Sequence, residues 1–149
     1  MAYQTINPAT GEAGEQFASW DAEQLDAALA AVDAFHPAWS ATAMAERSAL
    51  MRQLGEVLRT RRDELAALIT QEMGKLIGEA RAEVEKCALG CDYYAEHAPV
   101  FLADELIASD AGKSFVAYQP LGAVLAVMPW NFPLWQVFRF AIPALMAGN

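Results

Sequence analysis

Cysteine and histidine are scarce in this sequence, with two of each among 149 residues. Two cysteines do not make a disulfide framework and no secretory leader is evident, so we expect a cytoplasmic location. Cys87 and Cys91 share one helical face with Val84 and Ala88. Because free cysteine is among the most buried residue types, this face predicts inert core thiols. His97 is the only histidine near them, so too few ligands are present for a zinc site, and we expect no metal.

Positively charged residues are also few. The chain has 10 Lys and Arg against 19 Asp and Glu, which gives a net charge of −9. Nucleic acids and anionic membrane surfaces are bound by clustered Lys and Arg, so we expect neither as a partner. Hydrophobic residues make up 55% of the chain, and this excludes a disordered segment.

Residues 114–149 contain one charged group, Arg139. The apolar run from 124 to 146 is long enough to span a bilayer, but three prolines and Arg139 interrupt it, which disfavours a membrane segment. Sequence of this kind is typically buried on both sides by other protein. We therefore expect the chain to be the front part of a larger protein.

Glycine-rich phosphate loops are missing. No Gly-x-Gly-x-x-Gly occurs, and residues 74–78 lack the spacing of a phosphate loop. These residues follow a predicted helix instead of a strand, so we interpret them as a joint between two helices.

Before residue 112 the patterns predict a hairpin over residues 3–19 and then four helices. Asp21 and Gln24 have the spacing of a capping box for a first helix that Pro37 ends, and Gly74 is the predicted C-cap of the third. The second helix is predicted over 43–61, the third over 63–73, and the fourth from about 76 to a point before Pro99. The residues expected to face inward are Leu25, Leu29 and Val32 in the first helix, Leu50, Leu54, Val57 and Leu58 in the second, and Leu65, Leu68 and Ile69 in the third.

After residue 112 the pattern changes to strands. Ser114–Gln119 reads as a strand with Phe115, Ala117 and Gln119 on one face, and a turn at Pro120–Gly122 follows. Ala123–Met128 is an apolar run typical of a central parallel strand, and a loop leads to a helix with Pro133 at its first position. Strand, loop and helix open a βαβ unit that needs further strands. The predicted fold class is α/β: a helical amino-terminal part followed by the first strand-loop-helix of a Rossmann-like parallel sheet.

Asn131 and Arg139 are the two candidate site residues that the pattern itself indicates. Asn131 comes at the carboxyl end of the predicted strand, where open α/β sheets bind ligands, and its amide can donate hydrogen bonds to an oxyanion. The alternative is an ordinary turn asparagine. Arg139 lies about two helical turns further on. It either binds a carboxylate ligand or pairs with a carboxylate elsewhere in the parent protein.

Three stretches carry a resemblance to a known family. Ile6–Glu12 (INPATGE), Glu72–Lys75 (EMGK) and the loop Met128–Pro133 (MPWNFP), which follows Pro-Leu-Gly at 120–122, resemble the amino-terminal third of NAD(P)-dependent aldehyde dehydrogenases. The resemblance runs over essentially all 149 residues. Residues 131–139 are most similar to the succinate-semialdehyde dehydrogenase branch.

The resemblance implies a reaction and roles for individual residues. Members of the family oxidise an aldehyde through a cysteine thiolate, pass hydride to NAD or NADP, and release the acid by a glutamate-activated water. Asn131 is implied as the residue that stabilises the oxyanion, and Arg139 as the partner of the substrate's distal carboxylate. The cofactor neighbours implied are Val127, Met128, Pro129, Trp130 and Asn131, and the residues implied to line the aldehyde tunnel are Phe132 and Trp135.

The resemblance also implies what these residues lack. The family's nucleophile, its base and its cofactor-phosphate loop come further along the chain than residue 149, and neither Cys87 nor Cys91 matches the nucleophile. We therefore expect the 149 residues alone to be inactive and the complete enzyme to be a homo-oligomer. The domain division implied is 1–112 for hairpin and helices, 113–122 for an oligomerisation-arm strand and 123–149 for the start of the cofactor domain. Two alternatives remain open: a truncated, non-catalytic chain that acts as an interaction module, and a free-standing helical domain with an unrelated role.

Overall fold

The computed structural model describes residues 2–149, with five helices and two small antiparallel strand pairs in that range. The strands are β1 (Ala2–Ile6), β2 (Ala13–Ala18), β3 (Glu105–Leu106) and β4 (Phe115–Val116). The helices are α1 (Ala22–Ala41), α2 (Met44–Thr60), α3 (Arg62–Met73), α4 (Ile77–Phe101) and α5 (Pro133–Met146). No helix within 2–149 is long and apolar enough to cross a membrane.

The start of the chain folds as predicted. β1 pairs antiparallel with β2, and the capping box is present, since the Asp21 side chain accepts from the Gln24 backbone N–H at 2.8 Å and the Gln24 side chain accepts from the Asp21 N–H at 3.0 Å. The joint at residues 74–76 is also confirmed. Gly74 ends α3 with a φ of 74°, a left-handed conformation that glycine adopts without a Cβ clash.

The core is built around α4, which α2, α3 and α5 surround. Small residues let these helices approach closely. A Cβ on Gly55 of α2 would lie 3.4 Å from Cys91 Cβ, and one on Gly90 of α4 would lie 3.3 Å from Ile142 Cδ1 of α5. α5 is thereby packed directly on α4.

Two predicted helix ends are wrong because proline does not stop either helix. α1 continues four residues past Pro37, and α4 continues two residues past Pro99. A proline inside a helix leaves the carbonyl four residues earlier without its usual donor. For Pro99 that carbonyl belongs to Ala95, and Arg52 Nη2 donates to it at 3.4 Å.

The predicted inward faces are only partly correct. Leu58 and Ile69 are buried, and Leu54 and Leu65 are partly buried against the core. The remaining predicted core residues are 43–55% exposed: Leu25, Leu29, Val32, Leu50, Val57 and Leu68. The helical spacing of apolar residues identifies the apolar face of a helix, but it does not identify the part of the protein that packs against that face. α1 buries no residue, and α2 turns a different stripe toward α4 because Gly55 allows the closest approach there.

The two strands predicted after residue 112 are not formed as predicted. Only Phe115–Val116 of the segment 114–119 is in a strand, where it pairs with Glu105–Leu106. Residues 123–128 form no strand, and 120–122 form no turn. The physical reason is the hydrogen-bond ladder: among residues 2–149 no strand lies beside 123–128 to complete one. The loop and the helix that begins at Pro133 are confirmed.

Candidate functional site

The predicted site residues lie in and around the loop of residues 129–132, which leads into α5. Val127 and Trp130 are 87% and 77% exposed, and Met128 is 38% exposed. Trp130 also lines an apolar cleft of about 290 Å³ beside Leu68 and Met73 of α3. The cofactor neighbours predicted at 127–131 therefore form one continuous, accessible segment.

Asn131 is exposed, and its side chain makes no hydrogen bond within residues 2–149. A turn asparagine usually bonds its own backbone two residues on. Asn7 does this in the loop between β1 and β2, where its Oδ1 accepts from the Ala9 N–H at 2.9 Å. The amide of Asn131 is not used in this way and is available to an external acceptor.

Arg139 is also exposed, and it has no ion pair or hydrogen bond in the described part of the chain. It is the seventh residue of α5, eight residues after Asn131. Six of these eight steps, from Pro133 to Arg139, lie within α5, and at 1.5 Å per residue they correspond to about 9 Å along the axis. Because helical side chains lean toward the amino terminus, the guanidinium of Arg139 is carried toward the end of α5 at which Asn131 lies.

The predicted tunnel residues differ in their surroundings. Phe132 is 45% exposed, and the ammonium of Lys75 lies 3.7 Å from the centroid of its ring. Trp135 is partly buried against the core, with Lys86 Nζ 4.1 Å from its ring. Phe132, the residue after Asn131, is therefore partly open to solvent, whereas Trp135 packs against α4.

Two residues at this site were missed by sequence reasoning, Lys75 and Glu83. Glu83 is 4% exposed, and its Oε1 accepts from the backbone N–H groups of Leu134 and Trp135, both at 3.0 Å. Its Oε2 forms an ion pair with Lys75 Nζ. The signal that could have identified Glu83 is its place on the same predicted helical face as Cys87, where a carboxylate needs a partner.

The cysteines are confirmed as buried thiols of α4. Cys87 and Cys91 are both unpaired and have no exposed surface. Burial raises the pKa of Cys87 to about 12, helped by the negative charge of Glu83. Burial likewise raises the pKa of Cys91 to about 11, helped by Asp92. Neither environment favours the thiolate that a nucleophile needs.

Within residues 2–149, no group of three or more His, Cys, Asp and Glu side chains is placed to hold a metal ion.

Comparison with known proteins gives a match over the whole chain. The sequence profile of the aldehyde dehydrogenase family matches residues 1–149. The chain is 52% identical over 149 residues to a Synechocystis sp. protein named "Probable succinate-semialdehyde dehydrogenase (NADP+)". It is 49% identical over 155 residues to the succinate-semialdehyde dehydrogenase (NADP+) of Mycobacterium avium.

Solved structures give the same fold. The crystal structure of succinic semialdehyde dehydrogenase from Streptococcus pyogenes, in complex with NADP+, superposes with a TM-score of 0.93 at 37% identity over 99% of this chain. That match covers 32% of the Streptococcus chain, and the chain covers 33% and 32% of the two sequence relatives. The chain thus spans about one third of the length of the relatives it matches.

Proposed function

We propose that this chain, which belongs to the aldehyde dehydrogenase family, forms the amino-terminal part of an enzyme that oxidises succinate semialdehyde to succinate. The observation that carries the substrate assignment is Arg139, the only charged group among residues 114–149, which is exposed and unpaired within residues 2–149. The relatives named succinate-semialdehyde dehydrogenase support the same substrate class.

In this proposal the free amide of Asn131 stabilises the oxyanion. A cysteine thiolate adds to the aldehyde carbon and the carbonyl oxygen becomes negative, forming a thiohemiacetal. A preorganised, uncharged donor contributes most at that moment, because it meets charge that is absent from the ground state. The hydrogen-bond donors of Asn131 are not occupied by its own loop, and this availability supports the role.

Arg139 binds the other end of the substrate. A guanidinium forms two parallel hydrogen bonds with a carboxylate, and charge-assisted bonds of this kind contribute about 1.5–3 kcal/mol. α5 sets the spacing between Asn131 and Arg139, so an aldehyde with a carboxylate at its far end can engage both. Phe132 and Trp135 are the residues that we assign to the walls of the aldehyde path.

The dinucleotide lies against residues 127–131 in this proposal, and NADP is favoured over NAD because the relatives named above are NADP enzymes. The nucleophilic cysteine, the glutamate base and the cofactor-phosphate loop belong to the other two thirds of the enzyme, so we expect residues 1–149 alone to be inactive. The strand at 115–116 contributes to the arm of a homo-oligomer. Two unpaired thiols are consistent with a cytoplasmic enzyme.

The test uses the complete enzyme, by which we mean the full-length dehydrogenase that carries this segment, joined if needed from residues 1–149 and the remaining two thirds of the Synechocystis relative. Arg139→Leu should lower kcat/KM for succinate semialdehyde by about ten- to a hundredfold and leave an uncharged aldehyde of similar length almost unaffected. Arg61→Leu, which removes an exposed arginine outside the site, is the matched control and should leave both substrates unchanged. Equal losses of kcat/KM on both substrates would mean that Arg139 supports the fold and does not bind the substrate carboxylate.

The role of Asn131 is tested separately. Asn131→Ala should lower kcat by about 10²- to 10³-fold, because one oxyanion donor is removed, while the dissociation constant of NADP changes little. Stopped-flow measurement of hydride transfer reports the chemical step directly. A normal rate of hydride transfer in this variant would return Asn131 to the role of an ordinary turn residue.

A further inference from the structure

The buried pair of Glu83 and Lys75 contacts the residues on the carboxyl side of Asn131. Glu83 lies on α4 and accepts two backbone hydrogen bonds from the first turn of α5, at Leu134 and Trp135. Lys75 lies in the joint between α3 and α4 and is paired with the other oxygen of that carboxylate. The side chain of Lys75 is 7% exposed, and that of Glu83 is 2% exposed.

Lys75 has a second contact in the same loop. Its ammonium lies over the ring of Phe132, 3.7 Å from the centroid, which is within the range of a cation–π interaction. The pair therefore touches residues one, three and four positions after Asn131. The Asn131 side chain makes no hydrogen bond of its own in the described structure, so the contacts that restrain this part of the loop are those of the residues that follow it.

The nature of these contacts favours a positioning role over simple stabilisation. A buried ion pair is often no more stabilising than an apolar pair of the same volume, because desolvating two charges is costly. Its contacts are directional, however. The carboxylate meets two free N–H groups at the positive end of the helix dipole, and this fixes both the direction and the rotation of the first turn of α5.

We propose that Glu83 and Lys75 are positioning residues for Asn131, holding the first turn of α5 so that the Asn131 amide is aimed at the oxyanion. This inference rests on the proposed function through the role of Asn131. Neither residue touches the substrate, and both act through the backbone of residues 132–135. A displacement of the amide by a fraction of its hydrogen-bond length is enough to weaken its contact with the oxyanion.

The experiment is a double-mutant cycle in the complete enzyme. Glu83→Gln keeps an oxygen for the two N–H groups but loses the charge that holds Lys75. We expect kcat to fall by about ten- to a hundredfold while the dissociation constant of NADP is unchanged. In the Asn131→Ala background the same change should cause no further loss of kcat, because the group that Glu83 positions is already absent. Glu64→Gln, at an exposed ion pair, is the matched control and should leave kcat unchanged in both backgrounds.

A merely structural role gives a different result. Loss of folded enzyme would lower activity equally with and without the Asn131 amide, and that additivity would overturn the inference. Lys75→Met provides the same cycle if Glu83→Gln does not fold, since it removes the ion pair and leaves the two backbone hydrogen bonds. Hydrogen exchange gives a second readout: the peptide of residues 131–137 should exchange faster in the Glu83→Gln variant, with α2 unchanged. Unchanged exchange at 131–137 would contradict the proposed contact.

The cycle separates this inference from the proposed function. If Asn131→Ala alone leaves kcat unchanged, the oxyanion role of Asn131 fails and the inference fails with it. If Asn131→Ala lowers kcat but the effect of Glu83→Gln is additive with it, only the inference fails and the proposed function stands.

Discussion

Alkylation of the two cysteines tests whether this chain contains a nucleophile of its own. The perturbation is iodoacetamide added to folded residues 1–149 at pH 8. Cys87 has no exposed surface, and its pKa is raised from 9.0 to about 12, chiefly by burial and then by the charge of Glu83. Only the thiolate reacts, so the pKa sets the reactive fraction.

The magnitude follows from that shift. At pH 8 a thiol with a pKa of 9 is about one-tenth thiolate, whereas one with a pKa of about 12 is about one part in 10⁴. Cys87 should therefore react about a thousandfold more slowly than an ordinary thiol, and Cys91, with a pKa of about 11, about a hundredfold more slowly. Burial also restricts access of iodoacetamide to both sulfur atoms, which slows the two reactions further. The rate should rise about tenfold with each pH unit up to pH 10, because both pKa values lie above that range.

Mass spectrometry of the digested chain follows each cysteine separately. The control is Ala82→Cys in a chain that also carries Cys87→Ser and Cys91→Ser, because Ala82 lies on the same helix and is exposed. Alkylation of Cys87 within tenfold of the control rate, in a chain that circular dichroism shows to be folded, would refute the assignment of an inert core thiol. Such a result would make Cys87 a candidate nucleophile and would reopen the question of catalysis by this segment alone.

Two further predictions concern residues 1–149 by themselves. They should give no aldehyde-dependent formation of NADH or NADPH above buffer. Steady turnover that either Cys87→Ser or Cys91→Ser abolishes would show that the nucleophile lies within these residues. They should also self-associate at micromolar concentration, since apolar side chains at Leu125, Val127 and Trp130 are 77–88% exposed. A monodisperse monomer by light scattering, with no binding of a hydrophobic dye, would contradict this prediction of self-association.

The elements predicted well from sequence are those whose causes are local. The capping box at Asp21 and the left-handed Gly74 act within one turn of a helix, so their residue types alone predict them. Pro133 at the first position of α5 is another example. The strand predicted at 123–128 failed for the opposite reason. Its hydrogen-bond partners would have to come from another segment, and residues 2–149 contain none placed to pair with it.

The candidate site shows the same division. Asn131 and Arg139 stand out in the sequence because of their position and isolation. Glu83 and Lys75 do not, because their importance arises from contacts about 50 residues away that only the folded chain brings together. Helix periodicity places Glu83 among buried neighbours, but it cannot indicate that two backbone N–H groups of α5 satisfy the carboxylate.

α5 is held at both ends, and this bears on how the proposed enzyme would select its substrate. At its start, Glu83 accepts from the first turn. At its end, the Asn149 side chain accepts from the Leu121 N–H at 2.6 Å and donates to the Ala144 carbonyl at 3.2 Å. Between these points Ile142 and Met146 are buried. These contacts hold α5 at both ends, and the helical steps from Pro133 to Arg139 set about 9 Å of the distance between Asn131 and Arg139. Under the proposed function, α5 sets the distance between the residue that binds the aldehyde and the residue that binds the carboxylate. A substrate that is too short cannot reach Arg139 while its carbonyl remains at Asn131.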